Sequence, residues 1–177
     1  NQANITITSG SLSSNADLLT STNGITNNVA DGLTLTGGTN NNAISGSGSL
    51  ITNGDVTNNA AINQDSITVS GGTLTTDASL ITAANGVTNN SNVSLTGGTN
   101  TNTITGTGTT YIDGTVENTG TIDTNIGVGT SGHYATESDI TKALANNGIT
   151  DITDANVNAA ITGTGTTNIL GTTTNNS

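Results

Sequence analysis

The sequence predicts an all-β protein: a single parallel β-solenoid over residues 1–177, of about nine turns of roughly 20 residues, with one short helix near 136–147. Three observations predict it. The aliphatic residues fall in short alternating runs, as in NITIT at 4–8 and SITVS at 66–70, the period of a strand with one face inward. The chain also repeats itself at long range. Within each long repeat, a shorter period sets isoleucine, leucine and valine in three columns.

Composition allows this fold and argues against an ordinary globular core. Phenylalanine, tryptophan, methionine, cysteine and proline are absent, and aromatic residues make up 1% of the chain. Leucine, isoleucine and valine together are about a fifth, near the level at which chains stay disordered. Charged residues are only 7%, however, so little repulsion holds the chain open, and the alternation of its aliphatics favours strands.

The long repeat defines three modules, 1–62, 63–122 and 123–177. Module one opens NQANITITSGSLSSNADLLTSTNGITNN and module two NQDSITVSGGTLTTDASLITAANGVTNN. Their later halves, LTLTGGTNNNAISGSGSLITNGDVTNNAAI and VSLTGGTNTNTITGTGTTYIDGTVENTGTI, align after a two-residue deletion, with exchanges of Ser for Thr and Ile for Val. Module three diverges, then returns to the pattern at NNGIT (146–150) and ITGTGTTNILGTTTNNS (161–177).

The finer period predicts three turns per module. Ile5, Ile25, Ile44, Ile67, Val87 and Ile104 form one column; Leu12, Leu33, Ile51, Leu74, Val93 and Ile112 a second; Leu18, Val56, Leu80 and Val116 a third. Three columns imply three faces, with turns stacked at the strand spacing of about 4.8 Å into a rod roughly 43 Å long. Asn23-Gly24, Asn53-Gly54, Asn85-Gly86 and Asn147-Gly148 suit its corners, and pairs such as Asn27-Asn28 and Asn89-Asn90 suit amide ladders between turns.

Two stretches need separate justification. In TITGTGTT (103–110), strand alternation puts Thr103, Thr105, Thr107 and Thr109 on one side and Ile104, Gly106 and Gly108 on the other; with Ile104 inward, the threonines form a solvated wall. In TESDITKALANNG (136–148), a Thr-x-x-Asp start, Ile140 and Leu144 four apart and an Asn-Gly stop predict a short amphipathic helix, packed on the wall or used for lateral docking.

NGDVTNNAAI (53–62) and DGTVENTGTI (113–122) resemble the G-x-V-x-N-x-G-x-I style of turn in passenger regions of bacterial autotransporters and related filamentous adhesins. The resemblance covers modules one and two well and module three poorly. It implies export, a right-handed β-helix, and a stalk or adhesive rod on a bacterial surface, extracellular and carrying no transferred functional residues.

The chemistry of the side chains points the same way. A net charge of −11 with a single lysine and no arginine gives no footprint for nucleic acid or an anionic membrane, and no segment is apolar enough to span a bilayer. The start at Asn1 suggests a processed or excised piece. The sole histidine, His133, lies in a loop-like stretch without a triad around it, so the chain reads as a non-enzyme without cofactor. Tyr111 and Tyr134 are the only aromatic platforms for sugar.

Glu137, Asp139, Asp151 and Asp154 are weak candidates for an oxygen-rich calcium site, since TGGTNNN and TGGTNTN lack the aspartate and strict period of calcium-binding nonapeptides. Asn1–Gly10 and Thr162–Ser177 carry no cap, which makes Ile5 and Ile7 at one end, and Ile169 and Leu170 at the other, candidate assembly edges. The expected partners are further copies stacked head to tail, or adjoining repeats of a longer chain. A surface-binding adhesin module is the alternative. Ice binding by Thr-x-Thr ladders is a weaker one, because ITNNVA and VTNNSN interrupt the array.

Overall fold

Each turn lays three short strands against the turn below it, all in parallel register. The computed structural model describes residues 2–177 in this form, as a β-solenoid of about nine turns. On the first face, Ile5–Ile7, Ile25–Asn27, Ile44–Ser45, Ile62–Gln64 and Ile81–Ala83 stack in order. Above them Gly98–Asn100, Thr115–Asn118, His133–Thr136, Ile149–Thr153 and Thr166–Leu170 form a separate five-stranded sheet. The join between the two is made by a side chain. Asn102 Nδ2 donates to Ile81 O at 3.0 Å and its Oδ1 accepts from Ala83 N at 2.8 Å, which replaces a missing pair of backbone bonds.

The second and third faces belong to one 13-stranded sheet, because Thr103–Ile112 and Thr121–Val128 bend round the corner between them. Gly106 and Gly108 make that bend in TITGTGTT. A Cβ on Gly106 would collide with the carbonyl of Asn89, and one on Gly108 with that of Ser91, so only glycine lets this corner press on the turn beneath. Thr103, Thr105 and Thr107 face solvent as expected, Ile104 is fully buried, and Thr110 completes the strand inward.

The expected columns are present but broken, and the break has a simple cause. From Ile5 the inward positions pass through Leu12, Ala16, Ile25, Leu33, the Gly38–Asn40 strand, Ile44, Leu50, Val56 and Ile62 before reaching Ile67, the residue equivalent to Ile5. That is ten strand positions instead of nine. With three to a turn, module two begins one face further round the rod. Ile5, Ile25 and Ile44 therefore continue upward into Ile62 and Ile81. Ile67, Val87 and Ile104 instead stand on Leu50, Leu33 and Leu12 on the second face.

The second and third columns are corrected in the same way. Leu50, not Ile51, is the partner of Leu33; Leu74 and Val93 stand above Val56 on the third face; and Leu18 is 77% exposed. The turn is correspondingly shorter than the expected period, spanning 16 residues from Thr110 to Ile126 and 21 at its longest, from Leu12 to Leu33.

No helix forms over 136–147. Thr136 ends the His133–Thr136 strand, Ile140 makes a single parallel bridge to Val157, and Leu144 opens the Leu144–Asn146 strand. All three are at most 2% exposed. Four-residue spacing is what a helix face requires, and it is also the distance from one inward position to the next around a tight solenoid corner; the stacked turns on either side supply backbone partners for the second arrangement. The helical turns that do occur are short 3-10 segments at Ala16–Leu18 and Ala78–Leu80, started by Asn15 and Asp77, whose side chains accept from Asp17 N and Ser79 N. Of the Asn-Gly corners, Gly24 and Gly86 take φ of 87° and 86°, and Gly148 does not need positive φ.

The interior is partly polar, and most of its polar groups are paired along the rod; the buried hydroxyls of Thr52 and Thr150 are exceptions, with no side-chain partner. Asn40 Nδ2 donates to Asn58 Oδ1 at 2.7 Å, and Asn58 Nδ2 to Thr76 Oγ1 at 3.1 Å. Asn100, Asn118 and Thr136 repeat the chain one module later, on the first face. Asn27 bonds Gln64 Oε1 at 2.8 Å and Asn89 bonds Thr110 Oγ1 at 3.4 Å, so in each Asn pair the first residue is internal.

The rotated repeat has a direct test, since the chain has no cysteine to compete. Ile51→Cys with Thr68→Cys, adjacent outward positions on the second face, is expected to cross-link under mild oxidation, because neighbouring parallel strands meet disulfide geometry. Ser45→Cys with Thr68→Cys, adjacent only if module two sat directly over module one, is expected to stay reduced on a non-reducing gel.

Candidate functional site

Three kinds of surface are built from these turns: walls, open ends and grooves, one of which, about 420 Å³, lies over Asp17, Thr20, Ser21, Thr39 and Asn41 on the lower turns. The second-face wall carries a single outward row, Ser13, Thr34, Ile51, Thr68, Thr88, Thr105 and Asp123, in register from turn to turn. Val87 does not interrupt it, since Thr88 falls in line; Ile51 does, and Asp123 ends it. Lys142 lies 3.6 Å from Asp123, both largely solvated.

At the upper end, Thr166–Leu170 pairs with Ile149–Thr153 on one edge only. Ile169 and Leu170 are 52% and 47% exposed there, beside an open hollow of about 290 Å³ lined by Val157, Ile161, Thr173, Asn175 and Ser177. At the lower end Ile5–Ile7 pairs only upward; Ile7 is buried and Ile5 half-buried. The two predicted edges are therefore unequal. The upper one presents unpaired backbone and apolar side chains together, which is the surface a further parallel turn would cover.

A second groove lies on the third face. Its floor is the outward row Thr57, Thr75, Ser94 and Tyr111 on consecutive turns, and Asp55 and Asp113 rise from the corners beside it, around an open space of about 400 Å³. Tyr111, 41% exposed, lies beside Gly127 on the turn above, which has no side chain to displace the ring. The other tyrosine is internal: Tyr134 is 2% exposed, and burial pushes its phenol up to about 12. Ser94 Oγ donates to Asp113 Oδ2 at 2.6 Å, and Thr73 N donates to Asp55 Oδ1 at 2.9 Å, so each carboxylate is fixed through one oxygen. The sequence marks Tyr111 only as one of two aromatics; Ser94, Thr75 and Thr57 lie one, two and three turns away from it along the chain.

The four acidic calcium candidates do not converge. Asp139 accepts from the backbone and side chain of Asn156, which hold its carboxyl below the ordinary range. Asp151 accepts from Asn168 Nδ2 at 2.8 Å and contacts His133 Nε2 at 2.8 Å, and these contacts, Asn168 first, lower its carboxyl as well. Asp154 accepts from Thr172 N, and Glu137 is exposed. Among the described residues no three His, Cys, Asp or Glu side chains are grouped closely enough to share a cation. Nor is any helix long and apolar enough to cross a membrane.

The chain matches no protein-family model, no curated protein and no solved structure.

Proposed function

We propose that the chain is a non-catalytic structural rod of an extracellular bacterial fibre or adhesin stalk, extended by stacking on its open end. The observation that supports this most is the upper edge: a five-stranded parallel ladder that finishes in an unpaired strand with Ile169 and Leu170 exposed. Such an edge accepts another parallel turn, from adjoining repeats of a longer chain or from a second copy, and the contact is of the heterologous kind that extends a filament. Low charge and polar walls suit a solvated stalk.

Negative-stain microscopy is expected to show rods at least about 43 Å long, the length of nine turns at the strand spacing. Light scattering is expected to rise with concentration for the wild type and to stay at the monomer value for Ile169→Lys with Leu170→Lys, which places charge on the edge. A wild type that remains monomeric at high concentration removes stacking between copies and leaves extension within one polypeptide.

The groove around Tyr111 supports a second reading, in which one wall of the rod binds a surface and the chain is an adhesin module.

A further inference from the structure

We propose that the third-face groove binds a neutral saccharide chain, laid along the rod from Thr57 to Tyr111. The inference rests on the surface-binding reading and gives it a ligand class; the rod itself is tested separately by microscopy.

The groove combines three things that separately suit many ligands and together suit sugar. Tyr111 offers a partly solvated aromatic ring, 41% exposed, one edge of which lies over Gly127, where a side chain would crowd it. A pyranose ring lays its C–H face on such a surface, since aliphatic hydrogens are weakly positive and the π face negative, and both surfaces lose water. Asp55 and Asp113 supply carboxylate oxygens held in place by Thr73 N and Ser94 Oγ, each with a second oxygen outside that bond. Sugar hydroxyls are donors, and a pre-oriented carboxylate is a strong acceptor for them that costs little ordering on binding. Between these anchors Thr57 and Thr75 present hydroxyls able to donate and accept.

The row repeats at the strand spacing, so from Thr57 to Tyr111 the groove runs about 14 Å. That is a track for several sugar rings instead of a pocket for one. Charge restricts the class further. The groove holds two carboxylates and no cation, on a chain of net charge −11, so uronate, sulfate or sialate groups would be repelled. A cationic peptide is disfavoured for another reason: the carboxylates sit at opposite corners of a hydroxyl-lined floor, each already engaged through one oxygen.

Nuclear magnetic resonance titration reads the site directly, because the two tyrosines are distinguishable by burial. Cellohexaose, chitohexaose, mannohexaose and maltohexaose are the probes, with sialyllactose, a heparin hexasaccharide and hexalysine as charged arms. At least one neutral hexasaccharide is expected to shift the Tyr111 ring signals saturably, leaving Tyr134 in place, with Kd on the order of 0.1–1 mM, as for a shallow groove. Tyr111→Ala is expected to weaken it about tenfold or more, Tyr111→Phe by less than about threefold, and Asp113→Asn by about fivefold. Thermal midpoints should stay level, since these side chains point outward.

No saturable Tyr111 shift with any neutral probe overturns the proposal, as does equal binding by Tyr111→Ala. A shift with hexalysine or the anionic probes alone also overturns it, and assigns the groove to charge. None of these results bears on whether the rod forms.

Discussion

Ile104→Asp is expected to lower stability by about 4 kcal/mol, whereas its neighbour Thr105→Asp costs about 1 kcal/mol or less. Ile104 is fully buried on the second face, with Val87 below it and Ile122 above. A carboxylate there loses its hydration among aliphatic partners and has no cation to meet; the only lysine is at the surface near Asp123. Protonation would relieve part of the cost and leave the loss of packing between three stacked side chains. Thr105 is exposed and in register with Thr88 and Asp123, so its replacement meets one like charge across a strand, a repulsion that salt screens. Urea unfolding followed by circular dichroism separates the two. Equal midpoints would mean that the inward and outward sides of this strand are reversed.

That this strand has an inner and an outer side was legible in the sequence, because alternation at Ile104, Thr105 and Gly106 depends only on strand geometry. The stacking of turns was legible less well. Similarity between Ile5 and Ile67 shows that they descend from one position in a repeat, and it says nothing of how many strands intervene. The repeat holds ten strand positions and the turn holds three, so equivalent residues occupy successive faces, and columns drawn from sequence alone join residues that are a third of a turn apart.

The stretch around Ile140 shows a different limit. Ile140 and Leu144 satisfy a helix pattern, but their backbone partners, Val157 for Ile140 and Ile126 and Ile161 for Leu144, lie on other turns, and the ladder they offer outweighs a local preference worth only tenths of a kcal/mol per residue. The groove was hidden for the same reason. Asp55, Thr75, Ser94 and Tyr111 become neighbours through loops of unequal length, and those lengths carry no chemical signature.

Asn118→Leu, of similar volume, is expected to cost about 3 kcal/mol, though it makes the interior more apolar. Asn118 is 1% exposed. Its Oδ1 accepts from Asn100 Nδ2 at 2.7 Å, and its Nδ2 donates to Gly120 O at 3.0 Å and Thr136 Oγ1 at 3.3 Å. Leucine removes all three bonds. Asn100 keeps its second bond, to Asn102 O, whereas the Gly120 carbonyl loses its Asn118 partner at the corner. An exposed rung provides the control: Asn59 donates to Asn41 at the surface, and Asn59→Ala should cost less than about 0.5 kcal/mol.

Asn118→Asp tests the polarity of the ladder as well as its presence. An aspartate can still accept from Asn100, but its other oxygen then faces the Gly120 carbonyl, which repels the anion and accepts a bond from the neutral acid. Burial acts in the same direction, so the folded state raises the pKa of this carboxyl above its unfolded value. The folded variant then holds a proton that the unfolded chain releases, and its stability falls as pH rises through the carboxylate range. Relative to wild type, the variant should be least impaired near pH 4 and most impaired at pH 7. A deficit independent of pH would show that the side chain at 118 is neither desolvated nor set against the Gly120 carbonyl.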